Sequence, residues 1–131
     1  MTPAQILRAM EAQREFMVDL GQGRKVSLRR PTELQIQTNF VKLQPGDKPE
    51  DPPKPILHVD PAQLHRYATG WTGFAESDLI GAAGSSDPAP FDTVLLQAWL
   101  EEHTEHLPTL VQGLLDSIVQ HLNARSDAAK N

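Results

Sequence analysis

The chain has 131 residues, which is enough for one domain, and its 39% hydrophobic and 22% charged residues are ordinary for a folded protein. It has no cysteine, which excludes disulfides, thiolate metal sites and cysteine nucleophiles. No signal-peptide pattern is visible, and no apolar run approaches the length of a membrane span. We therefore expect a soluble intracellular protein without a membrane partner.

The net charge of −5 is unevenly distributed. Residues 1–30 carry six Lys/Arg against three Asp/Glu, whereas the rest of the chain carries six against fourteen. An acidic chain with few basic residues repels phosphate, so no nucleic-acid partner is expected. The asymmetry is most often ordinary surface solvation, but it can also steer a charged partner or self-association.

The N-terminal third predicts a helix followed by a β-hairpin. Thr2 and Pro3 form a typical helix start, and apolar residues then recur at helical spacing to about Glu15. From Phe16 the apolar period changes to two, and this pattern resumes after the break at 21–23. One longer helix is the alternative.

The apolar alternation also predicts the register of this hairpin. If both apolar sets face the core, Leu20 lies opposite Val26 and Val18 lies opposite Leu28. That register leaves an odd-numbered loop, which favours a glycine with positive φ.

The middle of the chain predicts a second helix and then an exposed linker. Thr32 and Gln35 match a capping box, and the helix is expected to run to about Leu43. Residues 44–57 contain five prolines and alternating charges, which is typical of an exposed linker. A ligand for a proline-binding groove is the less favoured interpretation.

Two more helices are predicted on either side of a glycine- and proline-rich loop. The first begins at the cap Asp60 and ends at Gly70, and a further turn covers 76–80. The second is capped by Asp92. The residues of this second helix expected to face the core are Val94, Leu95, Ala98 and Trp99.

The last helix is predicted to start near Glu105 and carries an apolar stripe two rows wide. The residues of the stripe are Leu107, Leu110, Val111, Leu114, Leu115, Ile118, Val119 and Leu122. The stripe is interpreted either as the central core helix or as a helix with one row packed inside and one row binding a partner or a second copy. Gly113, which is costly in mid-helix, indicates a close neighbour there.

The predicted fold is therefore mainly helical with a minor β contribution. We expect one compact domain over residues 1–131, with about five helices and one small hairpin near the N-terminus. The proline-rich linker at 44–57 and a frayed tail at 125–131 complete the prediction.

No arrangement of residues indicates catalysis. His103 and His106 lie three apart, but no third ligand is evident, so a solvated turn is favoured over a metal site. Residues 85–87 lack the context of a nucleophile elbow, and the glycines at 70–84 do not follow a strand as phosphate-binding loops do. We expect no enzyme, no metal and no cofactor.

Residues 70–79 read Gly-Trp-Thr-Gly-Phe-Ala-Glu-Ser-Asp-Leu, and residues 86–92 read Ser-Asp-Pro-Ala-Pro-Phe-Asp. This region resembles the tail assembly chaperones of bacteriophages with long, non-contractile tails. In that family a Gly-Trp-x-Gly-hydrophobic-x-Glu-x-Asp-Leu run precedes a Pro-x-Pro-Phe turn and a helix bearing a tryptophan. Residues 19–24 and 28–33 are similar to the N-terminal half of the same family. The matching positions are Trp71, Phe74, Glu76, Asp78, Leu79, Pro88, Pro90, Phe91 and Trp99.

The resemblance implies a factor that acts in the host cytoplasm and is absent from the mature virion. Such chaperones bind the tape measure protein, keep it soluble and recruit tail tube subunits, often with a longer form made by translational frameshifting. The broad stripe of the last helix is the expected contact surface, whereas the aromatic motif residues are expected mainly in the core. The alternative is a structural tail protein kept in the virion, such as a tube terminator or connector subunit.

Overall fold

The fold combines two small antiparallel sheets with a long C-terminal helix. The computed structural model describes residues 1–130. In chain order, the regular elements are α1 (Pro3–Ala12), β1 (Glu15–Gly21), β2 (Arg24–Arg29), α2 (Glu33–Gln35), β3 (Val41–Gln44), β4 (Lys54–Leu57), β5 (Ala68–Thr72), α3 (Glu76–Ile80), α4 (Thr93–Glu102) and α5 (Leu107–Lys130). Further helical turns are a π-helical turn at Ile36–Phe40 and 3₁₀ segments at Pro61–Tyr67, Gly81–Ala83 and Thr104–His106.

The prediction of a mainly helical domain of about five helices with one hairpin is wrong. The protein is 54% helical and 22% strand, with about six helices. Over the described residues, β1, β2 and β5 form one sheet with β2 in the middle, and β3 and β4 form another. Strand β5 was missed because Gly70 interrupts any alternation and its pairing partner β2 lies far earlier in the chain.

The N-terminal hairpin is confirmed, but its predicted register is wrong by two residues. Val18 lies opposite Val26 and not opposite Leu28. The turn explains the difference, because Gln22 and Gly23 both have positive φ, at 54° and 76°. Positive φ at both central residues allows a tight two-residue turn whose twist matches that of the strands, so no longer loop is needed.

The segment predicted as a proline-rich linker is partly a strand. Lys54–Leu57 pairs antiparallel with Val41–Gln44, and Pro55 lies opposite Leu43. Each strand of a two-stranded sheet is an edge strand, so a proline without an N–H is tolerated there. The predicted second helix consequently ends at Phe40, before this hairpin begins.

Helix α5 covers the inner face of the three-stranded sheet. The sheet contributes the buried side chains of Val18, Val26 and Leu28. The row of α5 that enters the core is Leu110, Leu114 and Ile118, each no more than 1% exposed. At Gly113 a Cβ would lie 2.8 Å from Val18 Cγ2, so glycine permits the helix to approach β1 this closely.

The predicted helix starts are in place. The caps Thr2, Thr32, Asp60 and Asp92 each accept a hydrogen bond from a backbone N–H of the first turn. The segment after Asp60 is 3₁₀ and ends at Tyr67, before the predicted stop at Gly70.

The predicted inner face of α4 is partly wrong. Trp99 is buried as expected, but the other three predicted residues are exposed: Val94 at 67%, Leu95 at 39%, and Ala98. Leu96 and Leu100 occupy the core instead. At the other end of the chain, residues 125–130 continue α5 where a frayed tail was predicted. Asn131 lies outside the described residues.

Candidate interaction surfaces

The aromatic residues of the 70–91 motif form part of the core. Phe74 is 2% exposed and stacks on Trp71 with the ring centroids 4.4 Å apart. Phe91 contacts Trp71 edge to face at 5.5 Å, and Trp99 contacts Phe74 in the same way at 5.0 Å. Trp71 Nε1 also donates a hydrogen bond of 2.9 Å to the carbonyl oxygen of Ala89. These contacts join β5, the loop before α4 and α4 itself.

Asp78, one of the two acidic residues of the motif, connects α3 to the hairpin. Asp78 accepts a 2.7 Å hydrogen bond from the backbone N–H of Ala75 and forms an ion pair with Arg24. The Ala75 hydrogen bond, and then Arg24, hold the pKa of the Asp78 carboxyl below its usual range. The guanidinium of Arg24 also lies about 6 Å from the ring centroids of Phe74 and Trp99. Asp78 therefore has a structural role.

The remaining motif residues shape the loop around this cluster. Pro88 forms a backbone bridge with Ala75, while its side chain and that of Pro90 are exposed. The N–H of Ala89 donates a 2.8 Å hydrogen bond to the carbonyl oxygen of Phe74, and Leu79 packs half-buried against the core. The motif residues thus hold neighbouring elements of the fold together.

Most of the predicted contact stripe on α5 is used inside the monomer. One row is fully buried, as described above. The second row is half-buried against the core and consists of Leu107, Val111, Leu115 and Leu122. Of the eight predicted residues only Val119, at 42%, is exposed. The structure therefore favours the core-helix interpretation of the stripe, and leaves little of α5 for a partner.

Helix α1 carries an exposed apolar face for which the sequence predicted no function. None of its residues is buried, and Ile6, Leu7 and Met10 are 47%, 54% and 58% exposed. At positions i, i+1 and i+4 these side chains share one side of the helix. An amphipathic pattern normally predicts that a helix packs on the core. The sequence alone does not show that α1 lies away from the core.

The base of α1 is nevertheless anchored. Arg14 Nη1 donates a 2.7 Å hydrogen bond to the carbonyl oxygen of Arg30, and the N–H of Arg30 donates one of 2.8 Å to the carbonyl oxygen of Arg14. Glu11 forms an ion pair of 3.5 Å with Arg29. Helix α1 is thus attached at its C-terminal end without burying its apolar face.

A groove lies between the 3₁₀ segment Pro61–Tyr67 and the junction of α4 with α5. Its volume is about 480 Å³, within the roughly 300–1,000 Å³ typical of binding pockets. The apolar residues lining it include Pro61, Ala62, Leu100 and Leu107. Two exposed carboxylates, Asp60 and Glu101, also line it. The groove therefore suits an apolar segment with positive charge nearby.

The two histidines considered as metal ligands stack on a buried ring. His103 and His106 lie nearly parallel to Trp99, with centroids 4.6 and 5.0 Å from it. Within residues 1–130, no group of three or more His, Cys, Asp or Glu side chains could hold a metal ion. Over the same residues, no helix is both long and apolar enough to cross a membrane.

No protein-family model matches the chain, and no curated protein or solved structure is significantly similar to it. The likeness to tail assembly chaperones thus depends on the motif residues themselves. In this fold those residues are chiefly structural, and the exposed face of α1 and the groove are the candidate interaction surfaces.

Proposed function

We propose that the protein is a non-enzymatic assembly factor, a phage tail assembly chaperone that holds the tape measure protein in the host cytoplasm. The observation that supports a holding role is the exposed apolar face of α1, a helix of which no residue is buried. The motif of residues 70–91 supports the choice of client, because it resembles that family.

The proposed contact pairs two amphipathic helices. Ile6, Leu7 and Met10 would cover an apolar stripe on a helix of the tape measure protein, which removes apolar surface of both chains from water. A helix of ten residues offers only a small area, and interfaces below roughly 1,200 Å² are typically transient. A weak contact suits a factor that tail tube subunits displace during assembly.

Co-expression with the tape measure protein tests this function. Leu7→Asp should lower the amount of soluble tape measure protein at least about tenfold, because a carboxylate on the contact face must be desolvated on binding. The matched control is Val94→Asp, which places the same charge on an exposed apolar position of α4. Both variants should keep the thermal unfolding midpoint of the wild type.

Two results would contradict the proposal. One is a tape measure protein that remains soluble when expressed alone, and the other is full solubility in the presence of Leu7→Asp. Mass spectrometry of purified particles separates the proposal from a retained tube terminator or connector subunit, because an assembly factor should be absent from them.

A further inference from the structure

We propose that the outer edge of β3 binds an extended segment of a partner protein, which adds to the hairpin as a third strand. The segment alternates apolar and acidic residues, with apolar side chains beside Val41 and Leu43 and a carboxylate beside Lys42. Among the described strands β3 pairs with β4 alone, and all four of its residues are exposed. The proposal goes beyond the holding function and uses no residue of α1.

The hydrogen bonds of the hairpin show which backbone groups of β3 point outwards. The N–H of His58 donates a 2.7 Å hydrogen bond to the carbonyl oxygen of Phe40, one position before β3 begins. Hydrogen-bonded and non-hydrogen-bonded positions alternate along an antiparallel pair. Leu43 and Pro55 therefore form a non-hydrogen-bonded pair, and the N–H and carbonyl of Leu43 point away from β4. The carbonyl of Val41 points the same way.

The opposite edge of the hairpin is closed by proline. By the same alternation the nitrogen of Pro55 points away from β3, and proline has no N–H to donate. Pro53, two residues earlier, lacks an N–H as well. Proline on an edge strand is one of the features by which natural sheets prevent further pairing. Strand β3 contains no proline, so an added strand is expected on its side.

The side chains of β3 define the sequence pattern of the partner. Val41 and Leu43 share one face of the strand and are 39% and 67% exposed, so they can contact apolar residues of an added strand. Lys42 lies on the other face and forms no ion pair within the described residues. A carboxylate directly across from it would form a favourable cross-strand pair. Strand addition of this kind combines main-chain hydrogen bonds with selection of alternate side chains.

A second copy of this chain matches the edge less well. Symmetric antiparallel pairing of two β3 strands centred on Leu43 places Pro45 opposite Val41 and Gln44 opposite Lys42. Pro45 cannot donate a hydrogen bond to the Val41 carbonyl. Gln44 supplies no negative charge to Lys42. The occupant that the edge favours is therefore an acidic strand of another protein.

Fluorescence anisotropy with a labelled peptide tests the proposal. The probe is Gly-Val-Glu-Val-Glu-Val-Gly with blocked ends, and it should bind saturably with a Kd below about 1 mM. Two methylated versions test the backbone contact. Methyl groups on two valine nitrogens, which would face β3, should weaken binding at least about tenfold, because each removes a hydrogen-bond donor. Methyl groups on the two glutamate nitrogens, which would face away, should have little effect.

Variants of β3 provide the matching test on the protein. Leu43→Pro removes the outward N–H and no hydrogen bond of the hairpin, so it should weaken peptide binding at least about tenfold. Leu43→Ala keeps the N–H and should weaken binding less. Both variants should keep the thermal unfolding midpoint of the wild type.

A charge reversal tests the side-chain contact even if Leu43→Pro does not fold. Lys42→Glu should bind the acidic peptide less well than the wild type does, and should prefer Gly-Val-Lys-Val-Lys-Val-Gly. The matched control is Lys54→Glu, which makes the same change on β4, away from the added strand. This control should keep the preference of the wild type for the acidic peptide.

Hydrogen exchange locates the bound peptide, because the amide of Leu43 should become protected in the complex. The inference would be overturned by no saturable binding up to about 1 mM peptide, by equal binding of the two methylated peptides, or by unchanged exchange at Leu43. Self-association that Leu43→Pro abolishes would overturn it too, since a second copy would then occupy the edge. Leu7→Asp should bind the peptide like the wild type, so failure of the holding test and failure of this one are distinguishable.

Discussion

Single glycines permit the closest backbone approaches in this fold. Gly73 has a φ of 79°, and a Cβ at this position would meet the carbonyl group of Gly23 in the hairpin turn. Gly21 has a similar φ of 84°, but a Cβ there would meet nothing within 4 Å. Alanine in place of Gly21 therefore introduces backbone strain alone, whereas alanine in place of Gly73 introduces backbone strain and a steric clash.

Gly73→Ala should destabilise the protein by about 3 kcal/mol, because positive φ costs a side chain about 1–2 kcal/mol and the clash adds about 1–3 kcal/mol. Gly21→Ala should cost only the backbone strain of about 1–2 kcal/mol. Urea unfolding followed by circular dichroism measures both. Equal losses of stability in the two variants would mean that Gly73 and Gly23 can move apart at no cost in free energy.

At the level of the elements, the packing of α5 on the sheet depends on Gly113, which has no side chain. In an exposed helix, Gly→Ala would stabilise by about 1 kcal/mol. At Gly113 the added methyl meets Val18, whose β-branched side chain is stiff and buried in the core.

Gly113→Ala should therefore lower the free energy of unfolding by about 1 kcal/mol, since overpacking typically costs about 1–3 kcal/mol and outweighs the gain in helix propensity. A double-mutant cycle with Val18→Ala measures the coupling, because the smaller side chain leaves room for the new methyl. Additive effects of the two substitutions would show that the helix moves away instead.

Local sequence signals predicted the elements well where a side chain acts on its own turn. The caps at Thr2, Thr32, Asp60 and Asp92 are examples, since each needs only a backbone N–H two or three residues away. Strands β3, β4 and β5 were not predicted because their pairing depends on residues in other segments of the chain.

The exposed apolar face of α1 could not be predicted from the sequence, for a related reason. Periodicity shows that both α1 and α5 are amphipathic, but it does not show which of them the domain covers. The stripe on α5 is nearly all enclosed, while Ile6, Leu7 and Met10 remain outside. Which apolar faces stay exposed depends on the completed fold, so periodicity in the sequence does not predict it.

At the scale of the whole molecule, two paired carboxylates contribute to stability towards acid. Besides Asp78, Glu33 accepts a 3.0 Å hydrogen bond from His121 Nε2 and forms an ion pair of the same length with Arg125, which ties α5 to α2. The hydrogen bond with His121 is the main cause that lowers the pKa of Glu33. Both carboxylates therefore stabilise the fold in their charged form.

Because each pKa is lower in the folded state, the stabilisation is complete above the unfolded values, which are about 3.9 for Asp and 4.3 for Glu. It is lost as the pH falls through the folded values. Asp78→Asn should therefore destabilise at pH 7, and its difference from the wild type should shrink at pH 3. Thermal unfolding at both pH values checks this, with Asp127→Asn, on the exposed end of α5, as the control. A difference that stays constant with pH would contradict it.

The order of the elements along the chain has a consequence for synthesis on the ribosome. Strands β1 and β2 can pair as soon as they emerge, but β5 and then α5 follow much later. Until residues 107–122 have left the exit tunnel, the inner face of the nascent sheet has no cover, and folding cannot finish. Ribosome-bound chains that end before α5 should accordingly be cut by protease within the hairpin, whereas chains that include α5 and a tunnel-length extension should resist.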